Sequence, residues 1–301
     1  MRHIPVLLNE VLESLNLKNG SKVIDCTVGD AGHSEVILEK IGPKGKLLAI
    51  DTDSESLLRA KRNLYRFGER VIFSRGNFRN LEKIVLENKF DKADAILMDL
   101  GWSTPQFEER GRGFSFKTDE PLDMRFDPSA DTPTAGQLVN RLPEDELNGI
   151  FKRFGEEELS EQIAGAIVEA RKIKLIARSS ELSEIVLQVY RQKLKSTKEI
   201  PWVGGLHPAT KIFQALRIAV NEELEVLKEV LPIAVKLLAP SGRLAVISFH
   251  SLEDRIVKQY FQKIENKEIY LINKKPIIAT EAEVAENASA RSAKLRVVEK
   301  I

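Results

Sequence analysis

The stretch from Lys22 to Asp51 constrains the fold of this chain more than any other. An apolar strand, Val23-Ile24, leads into Asp25-Cys26-Thr27-Val28-Gly29-Asp30-Ala31-Gly32-His33-Ser34. A helical segment runs on to Lys40, and a second strand, Leu47-Leu48-Ala49-Ile50, ends at Asp51. A strand, a glycine loop that opens a helix, and an acid at the tip of the next strand make a nucleoside-binding half-fold. Small residues let the backbone approach the ligand, and the acid can accept from both ribose hydroxyls. A dinucleotide site would use G-x-G-x-x-G, so that a pyrophosphate can sit on the helix N-terminus. Here Gly29 and Gly32 frame two residues and no third glycine follows. The loop favours a ligand with a ribose and no pyrophosphate, which S-adenosylmethionine fits and a nicotinamide dinucleotide does not. An ordinary strand-to-helix turn with glycines at positive φ is the alternative.

The rhythm around this unit extends the reading. Helical patterns at residues 54–67 and 81–86 alternate with apolar strands at 71–73 and 95–99, which implies a parallel sheet with helices on both faces. Residues 101–143 then lose periodicity and turn rich in Gly, Pro, Asp, Ser and Thr; so long an irregular segment is usually functional. Helices are expected within 147–194, with a cap at Ser179-Ser180-Glu181. The α/β pattern resumes with a long helix over 210–238, a Pro240-Ser241-Gly242 turn and a strand over 244–249. A helix to Ile264 and strands near 269–272 and 295–298 finish it. The expected architecture is an α/β, Rossmann-like domain built from residues 1–106 and 206–301, interrupted by a mostly helical insert over 107–205.

Composition narrows the function classes. No apolar run approaches the roughly 20 residues that span a bilayer, and Met1-Arg2-His3-Ile4-Pro5-Val6-Leu7-Leu8 lacks the pattern of a signal peptide. The single cysteine, Cys26, excludes an internal disulfide and suits a reducing cytoplasm, the expected location. Four histidines and one cysteine show no metal-ligand spacing, so no metal is expected. With a net charge of +1, any surface for nucleic acid must be local. The best basic run is Arg191, Lys193, Lys195 and Lys198; a solvated helix end is the alternative.

In open α/β sheets, ligands bind outside the carboxyl ends of the strands. Gly29 to His33, Asp51, Gly76-Asn77-Phe78, Asp99-Leu100-Gly101 and Ser248-Phe249-His250-Ser251 all fall there. Further blocks stand out: Arg112-Gly113-Phe114-Ser115-Phe116, Pro121-Leu122-Asp123-Met124-Arg125, His207-Pro208-Ala209-Thr210, Phe213-Gln214-Ala215-Leu216-Arg217-Ile218 and Leu252-Glu253-Asp254-Arg255. In these blocks and their order, the chain resembles the MraW/RsmH family of ribosomal RNA (cytosine-N4) methyltransferases over nearly its whole length. Ala31 stands where that family usually has glycine.

The resemblance implies a class I S-adenosylmethionine methyltransferase domain that methylates N4 of a cytidine in small-subunit (16S) ribosomal RNA, as naked RNA or in the assembled subunit. It also implies cofactor contacts at Ala31, Gly32, His33, Asp51, Phe78, Asp99 and Gln106. Transfer of a methyl to an exocyclic amine needs alignment and a group that accepts the amine's proton; Asp99 is the first candidate, with a cofactor-only role as its alternative. Arg112, Asp123, Arg125, His250 and Arg255 are expected to meet the RNA substrate. The plainer readings are a helix cap or packing for His33, core filling for Phe78, a loop contact for His250, a solvated charged loop for Arg112, Asp123 and Arg125, and surface pairing for Arg255.

Overall fold

Adjacent residues of the first strand, Val23 and Ile24, are both fully buried and face different cores. A strand covered on both sides is continuously apolar, and such strands belong in the interior of a parallel sheet. The computed structural model describes residues 4–101, 111–195 and 207–301. It divides the chain into two compact units, Met1–Thr104 with Leu224–Ile301, and Pro105–Glu223.

In the first unit, β1 (Lys22–Asp25), β2 (Lys46–Asp51), β3 (Val71–Arg75), β4 (Ala93–Asp99) and β5 (Leu238–Ser248) run parallel. The sheet order is β3-β2-β1-β4-β5-β8-β6. β8 (Lys294–Lys300) runs antiparallel between β5 and β6 (Ile269–Leu271), and the short β7 (Ile277–Ile278) also pairs with β8. One face is covered by α1 (Leu8–Ser14), α2 (Gly32–Lys40) and α3 (Ser54–Asn63), which contribute Val11, Ile37, Leu38 and Leu57. The other is covered by α4 (Leu81–Glu87), by the helix that precedes β5 and by the helix that follows it. The expected Pro240-Ser241-Gly242 turn lies inside β5 as an irregularity, with Ser241 at φ +61°, and the ladder to β4 is regular from Arg243.

The second unit is helical: α5 (Ala135–Arg141), α6 (Glu144–Gly155), α7 (Ser160–Ile173), α8 (Ser179–Leu194) and α9 (Thr210–Asn221). Two expectations are corrected here. The helix expected over 210–238 is two helices, α9 and α10 (Glu223–Leu237), because Glu222 adopts a left-handed conformation at φ +51° and stops the first. The insert consequently does not end at Gly205. α9 belongs to it, packed against α6 where Gly155 offers no side chain; a Cβ there would lie 2.8 Å from the Lys211 carbonyl oxygen. Asn221 fastens the end of α9, donating to Met124 O at 2.8 Å and accepting from Phe126 N at 2.8 Å. α5 lies in the segment expected to be irregular, and a reciprocal cap between Thr134 and Gln137 starts it.

The last helices are in the first unit, α11 (Ser251–Ile264) after β5 and α12 (Glu281–Glu286) after β7. No helix among the described residues is long and apolar enough to cross a membrane.

Candidate active site

Because β1 to β5 run parallel, their carboxyl ends share one rim, and the loops there are tied together through side-chain oxygens. Thr27, just past β1, accepts the Asp99 amide at the end of β4 with its Oγ1 at 2.8 Å. Asp51, at the end of β2, accepts Gly29 N and Asp53 N, both at 2.9 Å, one on each carboxylate oxygen. Gly29 takes φ +52° and Ala31 φ +71°, so the loop turns sharply with its backbone facing the rim. Ala31 is the fully buried cap residue of α2, and a Cβ on Gly32 would meet Pro5 at 3.2 Å.

Two acids at the base of this loop hold protons to unusually high pH. Asp25 is 1% exposed and accepts from Ser34 Oγ at 2.6 Å and Thr27 N at 3.1 Å. Burial outweighs those bonds and pushes its carboxyl up to about 6. Asp99 is pushed up to about 8, first by burial and then by the charges of Asp25 and Glu253. Among the described residues, its Oδ1 is buried without a hydrogen-bond partner. Its Oδ2 lies 3.6 Å from His33 Nδ1. The His33 ring is turned inward, 7% exposed, with Nε2 2.9 Å from the Val6 carbonyl oxygen. A carbonyl only accepts, so Nε2 carries a hydrogen, and Nδ1 is the ring nitrogen turned toward Asp99.

Phe78 opens a short 3-10 turn after β3, half-buried against the sheet core, with Asn77 capping the turn through Arg79 N. At the end of β5, His250 caps α11. Glu253, 3% exposed, accepts Phe249 N at 2.9 Å and His250 N at 3.3 Å, and His250 Nδ1 accepts Glu253 N at 3.4 Å. Arg255 is exposed on the next turn of α11. Gln106 lies outside the described residues, as does Lys198.

The remaining expected site residues belong to the second unit and shape its entrance segment. Arg112 donates through Nη1 to the Arg125 and Phe126 carbonyls. The Arg125 guanidinium grips both oxygens of Asp123 at 2.8 and 2.7 Å and donates to Ala130 O. Burial works against the Asp123 charge, but these bonds from Arg125 hold its carboxyl below the usual range. Arg191 pairs with Glu184 at 2.5 Å, while Lys193 and Lys195 are exposed.

The rim therefore offers glycine-loop backbone, a strand-end acid, an aromatic side chain at the third strand and a buried carboxylate that holds its proton to unusually high pH. A ribosyl ligand bearing positive charge fits all four. The profile of the MraW methylase family matches residues 1–301. The chain belongs to that family. Among curated MraW-family relatives, "Ribosomal RNA small subunit methyltransferase H" of Carboxydothermus hydrogenoformans is 42% identical over 99% of this chain and 98% of its own. The protein of the same name from Brevibacillus brevis is 40% identical over 99% and 98%. A solved rRNA methylase from Clostridium thermocellum aligns over the whole of both chains at 12% identity and a TM-score of 0.48. The MraW-family core carries the class I methyltransferase pattern, a parallel sheet closed by one reversed strand, β8, with a helical insert.

Sequence reasoning passed over Asp25 and Glu253, which set the electrostatics of the site. Both had a readable signal: one ends an apolar strand before the glycine loop, the other stands three residues after a strand-end histidine in capping position.

Proposed function

We propose that this protein transfers the methyl group of S-adenosylmethionine to N4 of a cytidine in small-subunit ribosomal RNA. The observation that carries the reading is Asp99: a buried carboxyl at the rim of a methyltransferase sheet that holds its proton up to about 8. The full-length match to a methylase family supports it.

When bound, the cofactor supplies an electrophilic methyl on a positively charged sulfur. Asp51 would accept from the ribose hydroxyls, the 28–33 loop backbone would receive the methionine end, and the Phe78 ring would meet the adenine. Asp99 would take its charged form beside a bound positive charge, because an opposite charge nearby lowers a carboxyl's affinity for protons. Asp99 then accepts a hydrogen of the cytosine amine, which localises the nitrogen lone pair for in-line attack. Methyl transfer would form the N–C bond as the C–S bond breaks with its electron pair on sulfur, and Asp99 would take the surplus proton from N4. It comes to rest on Oδ2, the oxygen that faces His33 Nδ1. The RNA base must leave its stack to reach this rim. The cytoplasm is the compartment consistent with this substrate.

Transfer of labelled methyl from S-adenosylmethionine to small ribosomal subunits isolated without this modification tests the reading. Label in the RNA supports it; cofactor binding without any transfer refutes it.

A further inference from the structure

A net charge of +1 conceals a local excess of cations at one sheet edge. On the α11 face, Lys258 and Lys274 line a shallow notch with Gln262, Asn273 and Arg296, over the buried ring of Phe261. Lys275 is next in the same turn between β6 and β7. Lys258, Lys274 and Lys275 are exposed, and none forms an ion pair among the described residues. Two acids at this edge are already answered: Arg296 grips both oxygens of Asp254 at 2.6 and 3.2 Å with Lys294 3.7 Å away, and Glu268, just before β6, pairs with Lys300 at 3.6 Å.

The next acids along the chain are on α12, which belongs to the other face. Glu283 accepts from Leu7 N at 2.6 Å, and the neighbouring Ala290 and Ala293 pack with the α1–α3 core. Asn273 fixes the lysine-bearing turn with its whole amide, donating to Lys275 O and Leu295 O and accepting from Val297 N at 2.7 Å. The cations thus sit on a braced turn.

Topology connects this edge to the site. β5 and β6 both run antiparallel to β8, so the chain leaves β6 heading toward the rim that holds Asp99, from Leu271, which is level with Leu244 and four residues below Ser248. Lys294 is in register with Ser248, two residues before His250. Lys258 is two turns into α11, roughly 10 Å along the helix from Ser251.

We infer that this edge, from Lys294 through Lys258 to Lys274 and Lys275, is a phosphate track that holds the RNA strand flanking the target cytidine. It rests on the RNA-methyltransferase reading above. Lysine ammonium groups on flexible stems act as point charges for phosphates. The notch exposes no ring for stacking, so the track grips backbone and carries no base preference.

The test is the triple variant Lys258→Ser, Lys274→Ser, Lys275→Ser, with a Lys→Arg triple alongside. Affinity for unmodified small ribosomal subunits is measured against potassium chloride concentration, and S-adenosylmethionine affinity by calorimetry. Each lost phosphate contact removes about 0.7 from the log–log salt slope on single strands. The serine triple should lower the slope by about 2 and weaken subunit binding about tenfold near 0.1 M salt, the arginine triple should match wild type, and cofactor affinity should be equal in all three. A wild-type slope in the serine triple, with wild-type methylation intact, overturns the track alone. Failure of the wild-type protein to bind or methylate subunits overturns the parent reading instead. A slope lowered equally in both triples overturns the track as well, since charge would not be the cause.

Discussion

His33 Nδ1 faces Asp99 Oδ2 at 3.6 Å while Nε2 of the same ring is held 2.9 Å from the Val6 carbonyl oxygen. The distance to Asp99 is too long for a hydrogen bond in the present geometry. With Nδ1 bare, it closes usefully when Asp99 carries a proton on Oδ2, because the fixed ring then offers it an acceptor. The pair therefore favours protonated Asp99, the state that follows methyl transfer.

Replacing His33 with Gln keeps a donor for Val6 O and removes the Nδ1 acceptor. Other groups acting on Asp99, the charges of Asp25 and Glu253, remain. The acidic limb of the single-turnover pH–rate profile should move down by about one pH unit, because a bond to the neutral carboxyl has been lost. A merely structural role for His33 would slow the reaction without moving the limb. An upward shift would mean that the ring acts as a cation.

Asp99→Asn keeps size and one acceptor but cannot take a proton. Single-turnover transfer at saturating cofactor should fall roughly ten- to ten-thousand-fold and lose its acidic limb. An unchanged saturated rate would leave Asp99 as a cofactor contact only. In the wild type, whose Asp99 holds its proton up to about 8, cofactor affinity should rise with pH toward 8 and level off above it. Calorimetry in buffers of different ionisation enthalpy should detect a proton released on binding, absent in the variant.

Asp25 gives a stability prediction with a defined sign. Its carboxyl is raised from 3.8 to about 6 on folding, so its favourable contribution is complete below pH 3.8 and is lost as pH rises to about 6. An asparagine in its place retains an acceptor for Thr27 N and a donor toward Ser34. The difference between Asp25→Asn and wild type should grow in the variant's favour from pH 4 to 6, to about 2–3 kcal/mol, and stay constant above. Urea denaturation across that range checks it; a difference independent of pH would contradict the buried-acid assignment.

Gly113 takes φ +73°, and a Cβ there would lie 2.3 Å from the Pro121 carbonyl oxygen. Its amide donates to the buried Glu120 at 2.8 Å. Gly113→Ala should destabilise the helical unit by about 2–4 kcal/mol, combining left-handed strain with a backbone clash. Denaturation monitored within that unit measures it.

The strand-loop-strand core and the rim acids were legible because buried parallel strands write continuous apolar runs and strand ends write chemistry. Leu47-Leu48-Ala49-Ile50 followed by Asp51 is one such run. The division between α9 and α10 was not legible, since a left-handed Glu222 leaves no glycine in the sequence. α9 consequently read as part of the sheet domain, although its contacts to Gly155 and its anchor at Asn221 place it in the insert. The inward turn of His33 depends on Val6, twenty-seven residues away, which no local pattern signals.

The most direct measurement is the identity of the methylated nucleoside. Unmodified small ribosomal subunits are incubated with the protein and S-adenosylmethionine, and their RNA is digested to nucleosides for mass spectrometry. The account predicts N4-methylcytidine, formed by wild type and nearly absent with Asp99→Asn. A methyl on cytosine C5, on a ribose hydroxyl or on another base would contradict it.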